Sequence, residues 1–230
     1  MKRLFIFISI VFFVSKMNAQ EVASTLIDSL YREDQFYIGV TNNLFGNKPK
    51  ALSQSGFSSG FYLGFIRDMP VNNQRNVAIG VGLGYSINSF NENLFVSKDD
   101  LGKVSYSILE DDNTYTKNKF SSHFIELPLE FRWRTSTPTE YNFWRIYTGF
   151  KLSYMFAHTT KYKGDLGSFK YTDIDDFNKF QYGLTLSAGY NTWNIYMYYA
   201  LNSIFSNEAK IDGNPLNMNA IKIGLMFYIL

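Results

Sequence analysis

The chain has 230 residues, a formal net charge of +2 and an aromatic content of 18%, with 22 Phe and 17 Tyr. It contains no cysteine, which excludes disulfide bonds and a lipid anchor on an N-terminal cysteine. Apolar residues make up 46% of the chain, but they are dispersed. No run reaches the roughly 18 consecutive apolar residues of a membrane-spanning helix, so a helical membrane protein is excluded.

Residues 1–19 have the form of a secretory signal peptide. Lys2 and Arg3 precede an apolar run over residues 4–14, and the small residue Ala19 precedes the expected cleavage site. The run is too short to cross a bilayer as a helix, which takes about 20 residues. Cleavage would remove three cationic residues and take the formal charge from +2 to −1. The mature chain would then have no basic field for nucleic acid, and we expect no nucleic-acid partner.

A polar lead-in over residues 20–35, either a short helix or a plug, precedes eight segments with alternating apolar residues. Such period-two alternation is typical of β-strands with two unlike faces. Segments of this length suit tilted strands that cross a bilayer. The eight predicted strands span residues 36–44, 57–66, 77–87, 123–134, 144–156, 179–190, 193–202 and 219–230.

Residues 77–87, with the sequence VAIGVGLGYSI, show the pattern most clearly. One face carries large apolar side chains, whereas the other is almost free of side chains because it includes Gly80, Gly82 and Gly84. We interpret the glycine face as the inside of a narrow barrel, where it leaves room for large side chains from other strands. Pro128, in the fourth strand, has no N–H to donate and predicts a bulge there.

These features predict an all-β fold over residues 36–230, an eight-stranded antiparallel up-and-down β-barrel in the outer membrane. Closure is required because open strand edges cannot be hydrated in lipid. Short connections at residues 67–76, 135–143 and 191–192 alternate with longer ones. Short turns lie on the periplasmic side in this class, so both termini are expected in the periplasm, with the long loops outside.

Charged residues occur on the face that should point inward. A charge facing lipid near the midplane would cost about 2–4 kcal/mol, and a buried charge in a narrow lumen needs a partner. We therefore expect Glu126 and Glu130 to pair with Arg132, Arg145 or Lys151 and to fill the barrel with an ionic network. A conducting or substrate-lined pore is the alternative.

Few residues are candidates for chemistry. His123 and His158 share the parity of the lipid-facing residues and could lie close together at the outer rim, near Ser121 and Ser122. Some small outer-membrane barrels use Ser and His there to modify lipids. The simpler interpretation, which we adopt, is that the two histidines are interfacial polar residues in contact with outer-membrane lipid and lipopolysaccharide.

Metal and cofactor sites are not expected. Acidic groups occur at residues 99–100, 111–112 and 173–176, but no EF-hand pattern accompanies them, so they are interpreted as solvated loop surface. Glycine strings such as GVGLG lie inside a strand and are not phosphate-binding loops. Trp133, Trp144 and Trp193 cluster at the periplasmic strand ends, which is typical of an interfacial aromatic belt.

Three segments carry a family resemblance: DSLYREDQFY from Asp28, GFYLGFIRDMPVN from Gly60, and IELPLEFRWRTSTPTEYNFWRIYTGFKLSY from Ile125. They resemble the PorT (SprT) proteins, small outer-membrane β-barrels of Bacteroidetes. The resemblance covers nearly all of the mature chain, and its third segment is the most distinctive.

The resemblance implies a role in type IX protein secretion, alongside other secretion-system proteins, and in gliding motility where relatives glide. It brings no catalytic residues. The expected function is that of a non-enzymatic barrel supporting secretion. The alternative hypothesis is a general structural or adhesion barrel, and the third is a lipid-modifying enzyme at the rim.

Overall fold

The computed structural model describes residues 32–110, 112–136, 143–172 and 174–229. The expected signal peptide, most of the lead-in and the centre of the turn at 135–143 lie outside the described residues. No helix among the described residues is long and apolar enough to cross a membrane. The strands are β1 (Gln35–Gly46), β2 (Ser59–Pro70), β3 (Val77–Asn91), β4 (Leu94–Lys98), β5 (Val104–Ile108), β6 (Tyr115–Arg134), β7 (Trp144–Gly164), β8 (Gly167–Tyr171), β9 (Phe180–Tyr190), β10 (Trp193–Ala200), β11 (Lys210–Ile211), β12 (Asn214–Pro215) and β13 (Asn219–Ile229).

Eight of these strands form a closed antiparallel ring in the order β6, β3, β2, β1, β13, β10, β9, β7, and β7 pairs back onto β6. The first and last strands join in a continuous register from Phe36 with Ile229 to Gly46 with Asn219. These eight strands correspond to the eight predicted segments. The predicted fold class is therefore confirmed: the chain forms a closed, eight-stranded antiparallel β-barrel.

The barrel is apolar outside and polar inside, the reverse of a water-soluble protein. In β6, buried and exposed residues alternate strictly from Phe124 to Arg134. The exposed members of that series are Ile125, Leu127, Leu129, Phe131 and Trp133, all between 38% and 49% exposed. A surface of this kind is stable against lipid hydrocarbon and not against water.

The glycine face of β3 points into the lumen, as predicted. A Cβ at Gly84 would overlap the Tyr37 hydroxyl, and a Cβ at Gly64 of β2 would lie 2.5 Å from the ring of the same tyrosine. A Cβ at Gly80 would lie 2.7 Å from Cδ of Arg132. Glycine is therefore needed at these positions because Tyr37 and Arg132 fill the narrow interior.

The two ends of the barrel differ. At one, here called the terminal end, β1 begins, β13 ends, and the three tryptophans lie exposed on the outer surface. Trp144 pairs with Tyr190, which pairs in turn with Trp193. Trp133 pairs with Ile146, two residues further along β7. The expected clustering of the tryptophans at one end is therefore present.

The opposite end, here called the loop end, contains strands that the alternation pattern did not predict. β6 and β7 continue past the apolar band and pair with each other as far as Tyr115 and Gly164, and β8 pairs with this extension of β7. The hairpins β4–β5 and β11–β12 lie in connections predicted as loops. Buried aromatic residues pack together beneath them, including Phe90, Phe120, Phe177 and Phe205.

One local prediction was wrong. Pro128 does not mark a bulge, because the register of β6 with β3 is the same on both sides of it and Pro128 pairs in step with Lys151. The bulge lies instead in β7, where Phe124 pairs with Met155 but the next residue back, His123, pairs with Ala157. One extra residue in β7 reverses which parity faces inward beyond this point.

Candidate functional site

The lumen holds the charged residues that the sequence places on the inner face. Arg132, Arg145, Lys151, Glu126 and Glu130 are all at least 94% buried. They lie on β6 and β7, whose inward positions alternate with lipid-facing ones, so each charged side chain is held inside the barrel by the pleat of its strand.

At the middle of the lumen, Glu126 pairs with Lys151, with 2.7 Å between Oε2 and Nζ. The other carboxylate oxygen of Glu126 accepts a hydrogen bond of 2.7 Å from the Ser86 hydroxyl. The Lys151 ammonium also lies 5.0 Å from the ring centre of Tyr62 and 5.2 Å from that of Tyr196. Both charges therefore have compensating partners, which a buried ion pair needs to be tolerated.

Nearer the terminal end, Asp68 is the centre of a second cluster. It is fully buried and accepts hydrogen bonds from Arg132 at 2.8 Å and from Arg134 at 2.7 and 2.8 Å. Glu130 lies 3.5 Å from Nε of Arg132. The lead-in residues join the cluster, because Arg132 donates to the carbonyl oxygen of Glu33 and to the side chain of Gln35.

Arg145 is placed differently from the other predicted site residues. It forms no ion pair with a carboxylate within the described part of the chain. Its guanidinium lies instead over aromatic rings, 4.5 Å from the ring centre of Phe143 and 5.5 Å from that of Tyr228. Aromatic faces attract cations, most strongly where water is excluded.

Sequence reasoning missed Asp68 because it ended the second strand at residue 66 and assigned residues 67–76 to a turn. β2 continues to Pro70, so Asp68 occupies an inward position in line with Tyr62 and Ile66. A signal was available, since Asp68 has the same parity as these two inward residues. The polar run that begins at Asn72 is typical of a turn, and for this reason Asp68 was assigned to the turn.

The lumen has little free space. A cavity beside Lys222 and Tyr198 measures about 20 Å³, and one beside Glu130 and Lys151 measures about 10 Å³. Each is about the space needed for one buried water molecule. The aromatic cluster of the loop end lies over the first cavity. In the described residues, side chains therefore fill most of the interior around these two cavities.

The two histidines do not form a site together. His123 faces outward and bonds to the Tyr85 hydroxyl through Nδ1 at 2.7 Å. The β7 bulge turns His158 inward, where Nε2 accepts the backbone N–H of Ile174 at 3.1 Å and the ring packs on Phe177. The prediction that both share the lipid-facing parity is wrong for His158, and the two rings lie on opposite faces of the barrel.

The acidic loop residues also gather at no common point. Asp99 accepts the backbone N–H groups of Leu101 and Lys103, which closes a local turn. Asp176 accepts the Tyr106 hydroxyl. Asp111 and Asp173 lie outside the described residues. Within the remainder, no group of three His, Asp or Glu side chains is placed to hold a metal ion.

Comparison with known proteins identifies the architecture. The family model described as "Outer membrane protein beta-barrel domain" matches residues 18–206. No curated protein matches the chain.

Two crystal structures of Ail, the attachment invasion locus protein of Yersinia pestis, are similar to the chain at 13% identity. One of them contains the heparin analogue sucrose octasulfate. Both alignments cover 87% of this chain and 100% of Ail, with TM-scores of 0.35 and 0.32.

Proposed function

Because the chain belongs to the outer-membrane β-barrel domain family, we propose that it is a non-enzymatic barrel of that membrane supporting type IX protein secretion and, in a gliding cell, motility. The filled lumen is the observation that favours a role other than transport through the barrel. Ion pairs, tyrosines and the Arg145 guanidinium occupy its interior. A barrel whose lumen is filled with side chains acts through the surfaces around it.

The secretion role is supported by the resemblance of three segments to PorT proteins. The segment that begins at Ile125 includes Glu126, Glu130, Arg132 and Arg134, all of which are buried in the lumen. The resemblance therefore includes residues that determine the interior of this barrel.

The turns at the terminal end are the proposed contact face for other secretion proteins. The first is shorter than predicted, because β2 ends at Pro70 and β3 begins at Val77. Asn72 fixes this turn by accepting the N–H of Val77 at 3.1 Å and donating to Asn76 at 2.6 Å. The second turn, around residue 139, lies outside the described residues. We propose that both face the periplasm, together with the two termini.

The alternative is an adhesion or general structural barrel. The strands of the loop end favour it as a second candidate, since β4–β5 and β6–β7–β8 form an ordered platform beyond the apolar band. Ordered strands that extend past the membrane can present a binding surface to the outside. This alternative predicts defects in surface binding without defects in export.

A deletion strain separates the two functions. Retention of secretion cargo in the periplasm, restored by the wild-type gene, is the expected result. Normal export together with altered surface binding would reject the secretion role in favour of adhesion.

The contact face is tested by replacing residues 71–76 with an unrelated turn of the same length. The matched control replaces residues 99–102, in the β4–β5 turn of the loop end. With equal barrel levels, only the first replacement should reduce export. Full export from the first variant would exclude this turn as a contact.

A further inference from the structure

The outward face of the β6–β7–β8 extension carries a group of cations. Five lysines lie there, here called the lysine ladder: Lys117, Lys119, Lys161, Lys163 and Lys170. Four of them are exposed and Lys119 is partly buried. The intervening residues Asn118, Phe120, Thr160 and Tyr162 are buried on the opposite face, so the strand pleat sorts all five lysines onto one side.

The strand register places these lysines directly opposite one another. Lys117 pairs with Lys163, Lys119 with Lys161, and Lys161 also with Lys170. Directly opposed residues have Cβ atoms about 4.5–5.5 Å apart, and like charges in such pairs are destabilising. Three like-charged pairs on three adjacent strands are therefore costly to the free protein.

No ladder lysine forms an ion pair with another of the described residues. The four ion pairs found there all lie in the lumen, and none includes a ladder lysine. The crowding affects the lysines themselves: partial burial, followed by the charges of Lys117 and Lys161, lowers the pKa of Lys119 below its ordinary value. An anion bound from outside would relieve both the repulsion and this shift.

The position of the ladder indicates which anion it would meet. It continues the lipid-facing surface of β6, with Ser121 and His123 between Lys119 and the first apolar residue, Ile125. Lys119 lies six residues beyond Ile125, about 20 Å along the strand, or about 14 Å along the membrane normal at a tilt of about 45°. That height corresponds to the headgroups and innermost sugars next to the hydrocarbon.

We propose that the lysine ladder is a binding site for the phosphate groups of lipopolysaccharide in the outer leaflet. A lysine ammonium is a compact charge that binds phosphate well without a fixed geometry. Opposed lysines, whose Cβ atoms lie about 5 Å apart, can share one phosphate, and the length of the ladder can accommodate a headgroup with two. The site depends on the loop end facing outward and is independent of any role in secretion.

The test measures lipid binding to the full-length barrel, refolded and placed in phosphatidylcholine nanodiscs. The probes are lipid A with both phosphates, dephosphorylated lipid A and phosphatidylglycerol. The variant is K119Q/K161Q/K163Q. The control is K48Q/K50Q/K103Q, which removes the same charge from exposed loop-end positions outside the ladder.

The ladder variant should lose about 100-fold in affinity for bisphosphorylated lipid A, given about 1 kcal/mol per lysine near an anionic surface. The control should change by less than about threefold, and dephosphorylated lipid A should bind the wild type weakly. Added salt should weaken the wild-type interaction, because exposed charges are screened.

Equal losses in the two variants would overturn the proposal, since they would show only a response to net charge. Wild-type binding to phosphatidylglycerol as tight as to lipid A would also overturn it, in favour of unselective attraction to anionic lipid. The ladder variant removes like-charge repulsion, so it should fold, and its heat-modifiable mobility in gels verifies this. The assay requires no secretion partner, and its outcome is separate from that of the export experiment.

Discussion

Asp68 accepts two hydrogen bonds from Arg134, at 2.7 and 2.8 Å, inside a barrel whose wall faces lipid. Both residues are fully buried. The bond joins β2 to β6 across the intervening strand β3. Arg132 donates to the same carboxylate at 2.8 Å. One acid thus compensates two buried cations and links non-adjacent strands at the terminal end.

D68N should therefore destabilise the barrel strongly. Breaking a buried pair by removing one charge costs about 3–5 kcal/mol, because the remaining charge stays desolvated. Urea unfolding of the refolded barrel in detergent, followed by tryptophan fluorescence, measures the change. D100N, at an exposed loop position, is the matched control and should change little. Equal stability of the two variants would show that Asp68 is not the main counterion.

The pair of Glu126 and Lys151 allows a cycle of substitutions. E126L or K151M alone should each destabilise the barrel by about 3–5 kcal/mol, because the partner is left charged and buried. The double substitution E126L/K151M should recover most of this loss, since well-packed apolar residues often replace a buried ion pair at little cost. Unfolding midpoints of the four proteins measure the coupling. A double variant whose destabilisation equals the sum of the two single losses would contradict this coupling.

The filled lumen predicts that the barrel does not conduct ions. Cavities of about 20 and 10 Å³ hold about one water molecule each. The purified protein in planar bilayers should therefore show no steady open-channel current, under conditions in which a porin of wide lumen does. Stable unit currents from pure wild-type protein would show that the packed interior opens in a bilayer.

All eight barrel strands could be predicted from the sequence because each has two chemically unlike faces. The alternation in β6 from Phe124 to Arg134 leaves only one face for lipid and one for the lumen, and charges such as Glu126 and Arg132 identify the inner one. The candidate lumen residues followed from the same parity. Which cation pairs with which acid depends on register across neighbouring strands, and the sequence alone does not determine that.

The loop end could not be predicted in the same way. β5 has only five residues, VSYSI; Tyr106 is buried in the core cluster of the loop end, and Val104 and Ile108 are partly buried against it. So short a segment carries too little alternation to distinguish it from a loop. The β7 bulge is also hidden, because a single extra residue near Phe156 leaves no compositional mark. It is nevertheless the reason that His158 faces inward.

The fit of Tyr37 against two glycines provides a test of interior packing. A Cβ at Gly84 would overlap the Tyr37 hydroxyl, whereas the nearest ring atom of Tyr37, Cζ, would be 3.0 Å away. G84A should destabilise the barrel by about 1–3 kcal/mol, the usual cost of overpacking. Y37F removes the clashing oxygen and should relieve most of that cost in the double variant. Unfolding midpoints test the rescue, and equal effects of G84A with and without Y37F would contradict it.

Glu92 lies in the connection from β3 to β4 at the loop end, and its residue is 2% exposed. Its Oε2 has no hydrogen-bond partner in the described structure. Lys119, Lys161, Tyr162 and Tyr171 line the same cavity of about 10 Å³. Burial raises the pKa of Glu92 well above its ordinary value, with no opposing contribution from these groups. The neutral acid is therefore favoured in the folded loop end.

This shift predicts a loss of stability at higher pH. An unfolded glutamate loses its proton near its ordinary pKa of about 4.3, whereas folded Glu92 keeps its proton to higher pH. The folded state then binds more protons than the unfolded state, so stability falls as pH rises above that value. E92Q should remove this dependence. It should be more stable than the wild type at pH 8, and the difference should shrink toward pH 4. Limited proteolysis of the loop end across this range, with the exposed-site variant E110Q as the control, measures the effect. A pH-independent difference would show that Glu92 does not titrate in this way.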